Sequence, residues 1–273
     1  MFWTRLVSGI VLIIIALLTM SLGGVALWGV LLVISLIAYR ELTKALLCAT
    51  DKKLNALEIA GMIGVTAYYL AVYFSEEAAL LLMCIVGVFM AEMFLYVVCF
   101  PKNQASQVLA AFFSFMYAPV MLSFVYMTRS SQLGIYMVWM ILISSWGCDT
   151  CAYVVGKLIG KKKIFPVLSP NKSLEGCIGG MTGAALIGGL YGRFFVEAAV
   201  PDQRVTWVIA FICGVAAIMS MVGDLAASAI KRNHKIKDYG KLIPGHGGIM
   251  DRFDSMIVTA PMIYFLTMLM IQL

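Results

Sequence analysis

Apolar residues arrive in this chain as long, nearly charge-free runs, and that feature constrains its fold more than any other. A hydrocarbon core about 30 Å thick is crossed by a helix of roughly 20 apolar residues. Nine runs read as spans: 5–20, 23–38, 57–74, 78–100, 106–127, 133–156, 176–196, 205–230 and 255–271. In lipid every backbone polar group has to be satisfied within its own segment, which a helix does and an irregular loop does not. The expected fold is therefore an all-α integral membrane protein. It is a polytopic helical bundle with about nine transmembrane helices and two polar cytoplasmic loops, in a single membrane domain over 1–273. A soluble alternative fails on charge: of 273 residues 62% are hydrophobic and only 12% charged, too few to cover a water-facing surface.

The first two runs are short, and a single bent hairpin is their other reading. Arg5 followed by apolar residues resembles the start of a secretory signal. No small-residue cleavage region follows, because the chain is apolar again from Leu22 to Ala38. A first span is the expectation.

The net charge of +6 suits anionic lipid or nucleic acid, but in a membrane chain it also follows from the bias of Lys and Arg toward cytoplasmic loops. With nine spans and a cytoplasmic N-terminus, 17 of the 20 Lys and Arg residues fall inside and only Arg129, Arg193 and Arg204 fall outside. The expected orientation is N-terminus in and C-terminus out, in a bacterial plasma membrane, with the polar loops 157–175 and 231–254 facing the cytoplasm. The third cytoplasmic loop, 39–56, carries mixed charge and no site-like cluster. Seven cysteines, nearly all inside apolar runs, do not suggest a disulfide framework. Cys148 and Cys151 read as small core residues sooner than as a redox or metal pair.

Asp224 lies near the cytoplasmic end of the eighth span. A carboxylate there is costly and is by default a functional candidate. Helical spacing puts Asp224, Ser228, Lys231 and Arg232 on one face. A snorkelling ion pair at the interface is the alternative. Further on, Pro244-Gly245-His246-Gly247-Gly248 sets three glycines around one of only two histidines. Such a turn can form an anion nest from free N–H groups, or be an ordinary flexible turn. Asp251 and Asp254 then stand three residues apart at the start of the ninth span, either as ligands or as acids suited to a helix N-terminus. Cations (Lys231, Arg232, Lys235, Lys237, Lys241, Arg252) around acids make the composition that metal-assisted phosphoryl or nucleotidyl transfer needs. Mg²⁺ takes one or two carboxylates plus substrate phosphates, and bases neutralise the phosphate oxygens. In the second loop Asp149, Tyr153, Gly156 and Gly160 share a helical face. Gly156 and Gly160 alone indicate close helix packing. Ser169-Pro170-Asn171-Lys172-Ser173-Leu174-Glu175-Gly176 offers hydroxyls, a cation and a carboxylate suited to a triphosphate or a sugar. Capping of a helix by Ser173 accounts for part of it equally well.

The run Ser228-x-Ile230-Lys231-Arg232-x4-Lys237-Asp238-x-Gly240-x2-Ile243-Pro244-x-His246-Gly247-Gly248-Ile249-x-Asp251-Arg252-Phe253-Asp254 resembles the signature of the phosphatidate cytidylyltransferases, or CDP-diacylglycerol synthases. The upstream block from Asp149 through Ala152, Tyr153, Gly156 and Gly160 to Ser169-Pro170-x-Lys172 and Glu175-Gly176 is similar to that family as well. Ser173 stands where threonine is expected and Cys151 where other small residues are common. The motif-bearing part is 149–254, and before it the likeness is one of hydropathy only. The resemblance implies transfer of CMP from CTP to phosphatidic acid, giving CDP-diacylglycerol and pyrophosphate in phospholipid biosynthesis. It implies Mg²⁺, with a second cation left open, held by Asp224 and Asp251. Catalytic roles would fall to Lys231, Arg232, His246 and Asp254. Substrate would be bound by Asp149, Ser169, Lys172, Ser173, Glu175, Ser228, Lys237, Gly247, Gly248 and Arg252. The expected partners are CTP, phosphatidic acid and membrane lipid, not nucleic acid, with a homodimer left open. The rival readings are a CTP-dependent polyprenol or lipid kinase and an ion-coupled transporter.

Overall fold

The computed structural model describes residues 2–46, 54–75, 77–200, 204–245 and 247–271, with the backbone alone for 2–6. His246 and the loop lysines Lys52 and Lys53 lie outside the described residues. Among the described residues there are nine helices: α1 Phe2–Leu22, α2 Gly24–Ala45, α3 Ala56–Phe74, α4 Ala78–Val98, α5 Ala105–Ser130, α6 Gly134–Ile159, α7 Leu174–Tyr191, α8 Arg204–Asn233 and α9 Met250–Ile271. No strand accompanies them, only two isolated antiparallel bridges, Lys163 with Ser173 and Ile243 with Gly247. Seven of the nine are long and apolar enough to cross a bilayer by length and composition; α1 and α7 are the two that are not counted. The chain is an all-α integral membrane protein.

Three helices contain a wide π-turn: α5 at Met116–Val120, α6 at Ile143–Gly147, and the continuation of α7 at Gly192–Val196. In α5 the cause is Pro119, which has no N–H to give the preceding turn. The Pro119 carbonyl accepts from the Tyr69 hydroxyl at 3.4 Å. In α6 the π-turn ends one residue before Cys148 and so sets the rotation at which Asp149 leaves the helix.

The chain divides into two compact units. One comprises Met1–Tyr126 and Asn233–Arg252. Its interior is built on buried aromatic and aliphatic side chains from α2, α3 and α5, among them Tyr39, Leu42, Leu57, Tyr69 and Phe115. The Ser35 and Tyr69 hydroxyls hydrogen-bond at 2.6 Å, so neither polar group is left unpaired in the core.

The other comprises Met127–Arg232 and Phe253–Leu273. Here α7 packs closely on the second half of α6 through small residues. A Cβ added to Gly180 would lie 2.9 Å from the Ala152 Cβ and 3.0 Å from the Cys148 carbonyl oxygen, and one on Gly183 would lie 2.6 Å from the Cys151 Sγ. Cys148 and Cys151 are thus small packing residues, and all six described cysteines are free. The same contact accounts for Gly156 and Gly160, both of which face the Ser173 Oγ.

Two helix ends depart furthest from the apolar runs. Helix α2 continues seven residues past Ala38, to Ala45, carrying Arg40, Glu41 and Lys44 with it. Helix α9 begins at Met250, five residues before the apolar run, so that Asp251 and Asp254 are helical. Hydropathy alone stops a helix at its first charges. Backbone hydrogen bonding does not.

Candidate active site

In the unit containing α6, α7 and α8, the segment between α6 and α7 folds back on itself. Leu174 donates to the Lys162 carbonyl at 2.9 Å and Ile164 to the Lys172 carbonyl at 3.4 Å. Ser173 is the N-cap of α7, its Oγ accepting from the Gly176 N–H at 3.2 Å. Capping and site-lining prove compatible, because Ser173 also borders a cavity of about 240 Å³. Asp149, Tyr153, Ser169, Asn171 and Lys172 line the same cavity. Four residues expected to bind substrate, Asp149, Ser169, Lys172 and Ser173, are therefore brought together.

Glu175 is not among the cavity-lining residues. It is half-buried, and its carboxylate accepts from the Lys161 N–H at 3.0 Å and the Lys162 N–H at 3.2 Å. Backbone donors, its own N–H first and then those of Lys161 and Lys162, hold this carboxyl below the usual range. Its visible work is to tie the segment to the start of α7, where an acid suits the helix dipole.

Beside the cavity the Lys172 Nζ stands 2.5 Å from the Asp224 Oδ2, an ion pair only partly exposed to solvent. Asp149 accepts from the Ser255 hydroxyl at 3.2 Å, and the Ser255 N–H caps Asp254 at 2.8 Å. Gly223 allows α9 to come close: a Cβ there would lie 2.7 Å from the Asp254 carbonyl oxygen. Asp224 acts electrostatically on both Asp149 and Asp254, and Lys231 acts on Asp254. Three carboxylates from three helices thus share one neighbourhood with two lysines. Asp254 is only 8% exposed, so its charge is little screened by water. Ser228 lies one turn beyond Asp224 on α8, half-buried, and Arg232 is exposed in the last turn.

Among the described residues no three His, Cys, Asp or Glu side chains converge to form a metal cage. That donor set still fits Mg²⁺, which takes one or two carboxylates and completes its shell with phosphate oxygens and water.

In the unit containing α2, the signature loop is built around two carboxylates. The Asp251 Oδ2 accepts from the Tyr239 N–H at 2.9 Å and the Gly248 N–H at 3.0 Å. Glu41, at the end of α2, accepts from the Ile249 N–H at 3.1 Å and the Met250 N–H at 2.9 Å. Those are orphan donors of the α9 N-terminus, and Glu41 caps it from 208 residues away. Close approach explains the glycines. A Cβ at Gly248 would lie 2.5 Å from both Glu41 carboxylate oxygens, and one at Gly240 would overlap the same carboxylate. Gly247 has φ +85° and its missing Cβ leaves room for the Asp251 Oδ2, 2.9 Å from where that Cβ would be. The N–H groups of Gly248, Ile249 and Met250 are therefore filled by the protein's own anions. Side chains, not these amides, are left to meet a substrate phosphate. Lys237 and Arg252 line a polar cavity on this loop.

Glu41 is the residue that sequence reasoning missed. The loop 39–56 carries charges but no motif, and an acid following an apolar run reads as an interfacial charge. The available signal was the pair Gly240 and Gly248, which marks a close neighbour without naming it.

A model of the cytidylyltransferase family matches residues 3–270 of the chain. The phosphatidate cytidylyltransferase of Staphylococcus haemolyticus (strain JCSC1435) is 30% identical over 276 residues, covering 98% of this chain and 99% of that one. Those of Staphylococcus saprophyticus and Staphylococcus aureus (strain COL) are 37% identical over 172 residues and 40% identical over 167. These two alignments are shorter and cover 63% and 62% of the relatives' lengths.

Proposed function

The chain belongs to the cytidylyltransferase family, and from that premise we propose that it transfers the cytidylyl group of CTP to phosphatidate, giving CDP-diacylglycerol and pyrophosphate. One observation carries the reading to these residues: the cavity lined by Asp149, Ser169, Lys172 and Ser173, with Asp224 paired to Lys172 at its side.

In this reaction a phosphate oxygen of the lipid attacks the α-phosphorus of CTP. The bond from that phosphorus to the bridging oxygen breaks, and pyrophosphate leaves with the electron pair. The attacking oxygen is already an anion, so no strong general base is required. Catalysis consists of positioning and of offsetting negative charge. Lys172 and the Ser169 and Ser173 hydroxyls suit the nucleotide phosphates. Lys231 and Arg232 would offset the repulsion between two anionic substrates. Mg²⁺, when bound, would supply further charge neutralisation on the triphosphate, held by Asp224 and Asp251 as the family likeness implies. Asp149 and Asp254 stand near Asp224 and would add negative charge that favours a bound cation. The Lys and Arg distribution supports an N-terminus and signature loop on the cytoplasmic side, where CTP is found.

The test is direct. Membranes carrying Asp224→Asn or Asp251→Asn are expected to lose Mg²⁺-dependent CDP-lipid synthesis by about two orders of magnitude or more. Near-normal activity in either variant would refute the metal assignment for that residue.

A further inference from the structure

Ile243 is a buried wall between two cavities of opposite character. On one side Lys237, Lys241 and Arg252 line a polar cavity of about 570 Å³, with Asp238 the one acid among its lining residues. On the other, Val7, Val11 and Leu12 of α1 face Leu242 and Pro244 across an open apolar groove of about 550 Å³. The Ser8 hydroxyl donates to the Pro244 carbonyl at 3.3 Å, fastening the helix to the loop at the groove. Both cavities belong to the signature loop, and none of the reaction steps above uses the groove.

A cationic chamber joined to an apolar groove through one shared residue suits an amphiphile with an anionic head and a hydrocarbon tail. We propose that the two cavities form the lipid subsite, with the phosphate of phosphatidate in the cationic chamber and one acyl chain along α1. This assignment rests on the cytidylyltransferase reading. A lipid tail gains little by leaving bulk hydrocarbon for an apolar groove, because the two are equally apolar. The groove therefore acts by holding the tail in one direction, which aims the head group. Its mark is discrimination by chain length rather than raw affinity.

The experiment uses the full chain in detergent. Val11 is exposed, so Val11→Trp fills the groove without disturbing a core. This variant is expected to lower kcat/KM for dioleoyl phosphatidate about tenfold. Turnover of dihexanoyl phosphatidate and KM for CTP are expected to stay unchanged. Independently of any substitution, phosphatidate carrying a diazirine in its acyl chain is expected to label residues 7–12 or 242–244 of the unaltered protein. Dioleoyl phosphatidate should compete for that label and dioleoyl phosphatidylcholine should not. Competition by both lipids alike would make the groove a contact for bulk lipid and overturn the proposal. So would equal losses for the long and short substrates, or label found elsewhere. If the unaltered protein made no CDP-lipid from either substrate, the reaction itself would be refuted, whatever the label showed.

Discussion

Lys172 and Asp224 stand as opposite charges beside the cavity and form an ion pair. Removing the cation takes from a partly buried carboxylate its paired charge and removes a positive charge from the nucleotide side. Lys172→Met is expected to lower kcat/KM for CTP about 100-fold while the KM for phosphatidate changes little. A fall confined to the lipid would contradict the assignment. Glu41 acts differently, because it touches backbone and not substrate. Glu41→Ala deprives two buried N–H groups of their acceptor and is expected to cost about 2 kcal/mol or more of stability. Glu41→Gln should cost less, since it retains one accepting oxygen. Thermal unfolding in detergent reads both, and unchanged midpoints would count against the capping role. At this scale the sequence showed which residues were costly in a membrane: Asp149 and Asp224 were legible for that reason, while Lys172 and Asp254 were legible from the charge and hydroxyl content of the two polar loops. It did not show who fills the N–H groups of the glycine turn. Those donors read as a nest for phosphate, and the anions that occupy them come from Asp251 nearby and from Glu41 at the far end of the chain. A contact across 208 residues leaves no local periodicity to read.

Helix α7 owes its position to what its residues lack. With no side chain at Gly180 and Gly183 it lies against Ala152, Cys148 and Cys151 of α6, and that contact fixes Asp149 relative to Ser173. Gly180→Val is expected to force the helices apart at a cost of about 1–3 kcal/mol. CTP binding should be lost with it, as read by protection against thermal unfolding. Retained protection would show that the α6–α7 contact does not shape the nucleotide cavity. At the start of the same helix, Ser173→Ala removes the cap and is expected to cost about 1 kcal/mol. Ser173→Thr should restore it, since threonine presents the same oxygen. Element existence was readable from hydropathy, and all nine helices were expected. Their ends were not. Helix α2 carries Arg40, Glu41 and Lys44 because its outer turns serve the signature loop, and α9 starts early because Glu41 caps it. The π-turn before Asp149 had no signal in the apolar pattern, because it alters rotation without altering composition.

Across the whole chain, Lys and Arg gather at or beyond the ends of the long apolar helices. Lys241 belongs to the signature loop and Arg129 lies in the last turn of α5. In a cysteine-free background, Lys241→Cys is expected to react with an impermeant maleimide only after cells are opened, and Arg129→Cys before. The reverse pattern would invert the orientation. The membrane class and the family were legible because long apolar runs and a long polar signature are local features. The division into two compact units was not, since it depends on which helices pack together. The reaction is tested most directly by product analysis. Purified full chain is supplied with CTP labelled at the α-phosphate, dioleoyl phosphatidate and Mg²⁺. The account predicts label in a CDP-lipid with matching release of pyrophosphate, and loss of both in Asp224→Asn. Label recovered as free CDP beside a newly phosphorylated lipid, or no lipid-bound label at all, would contradict it.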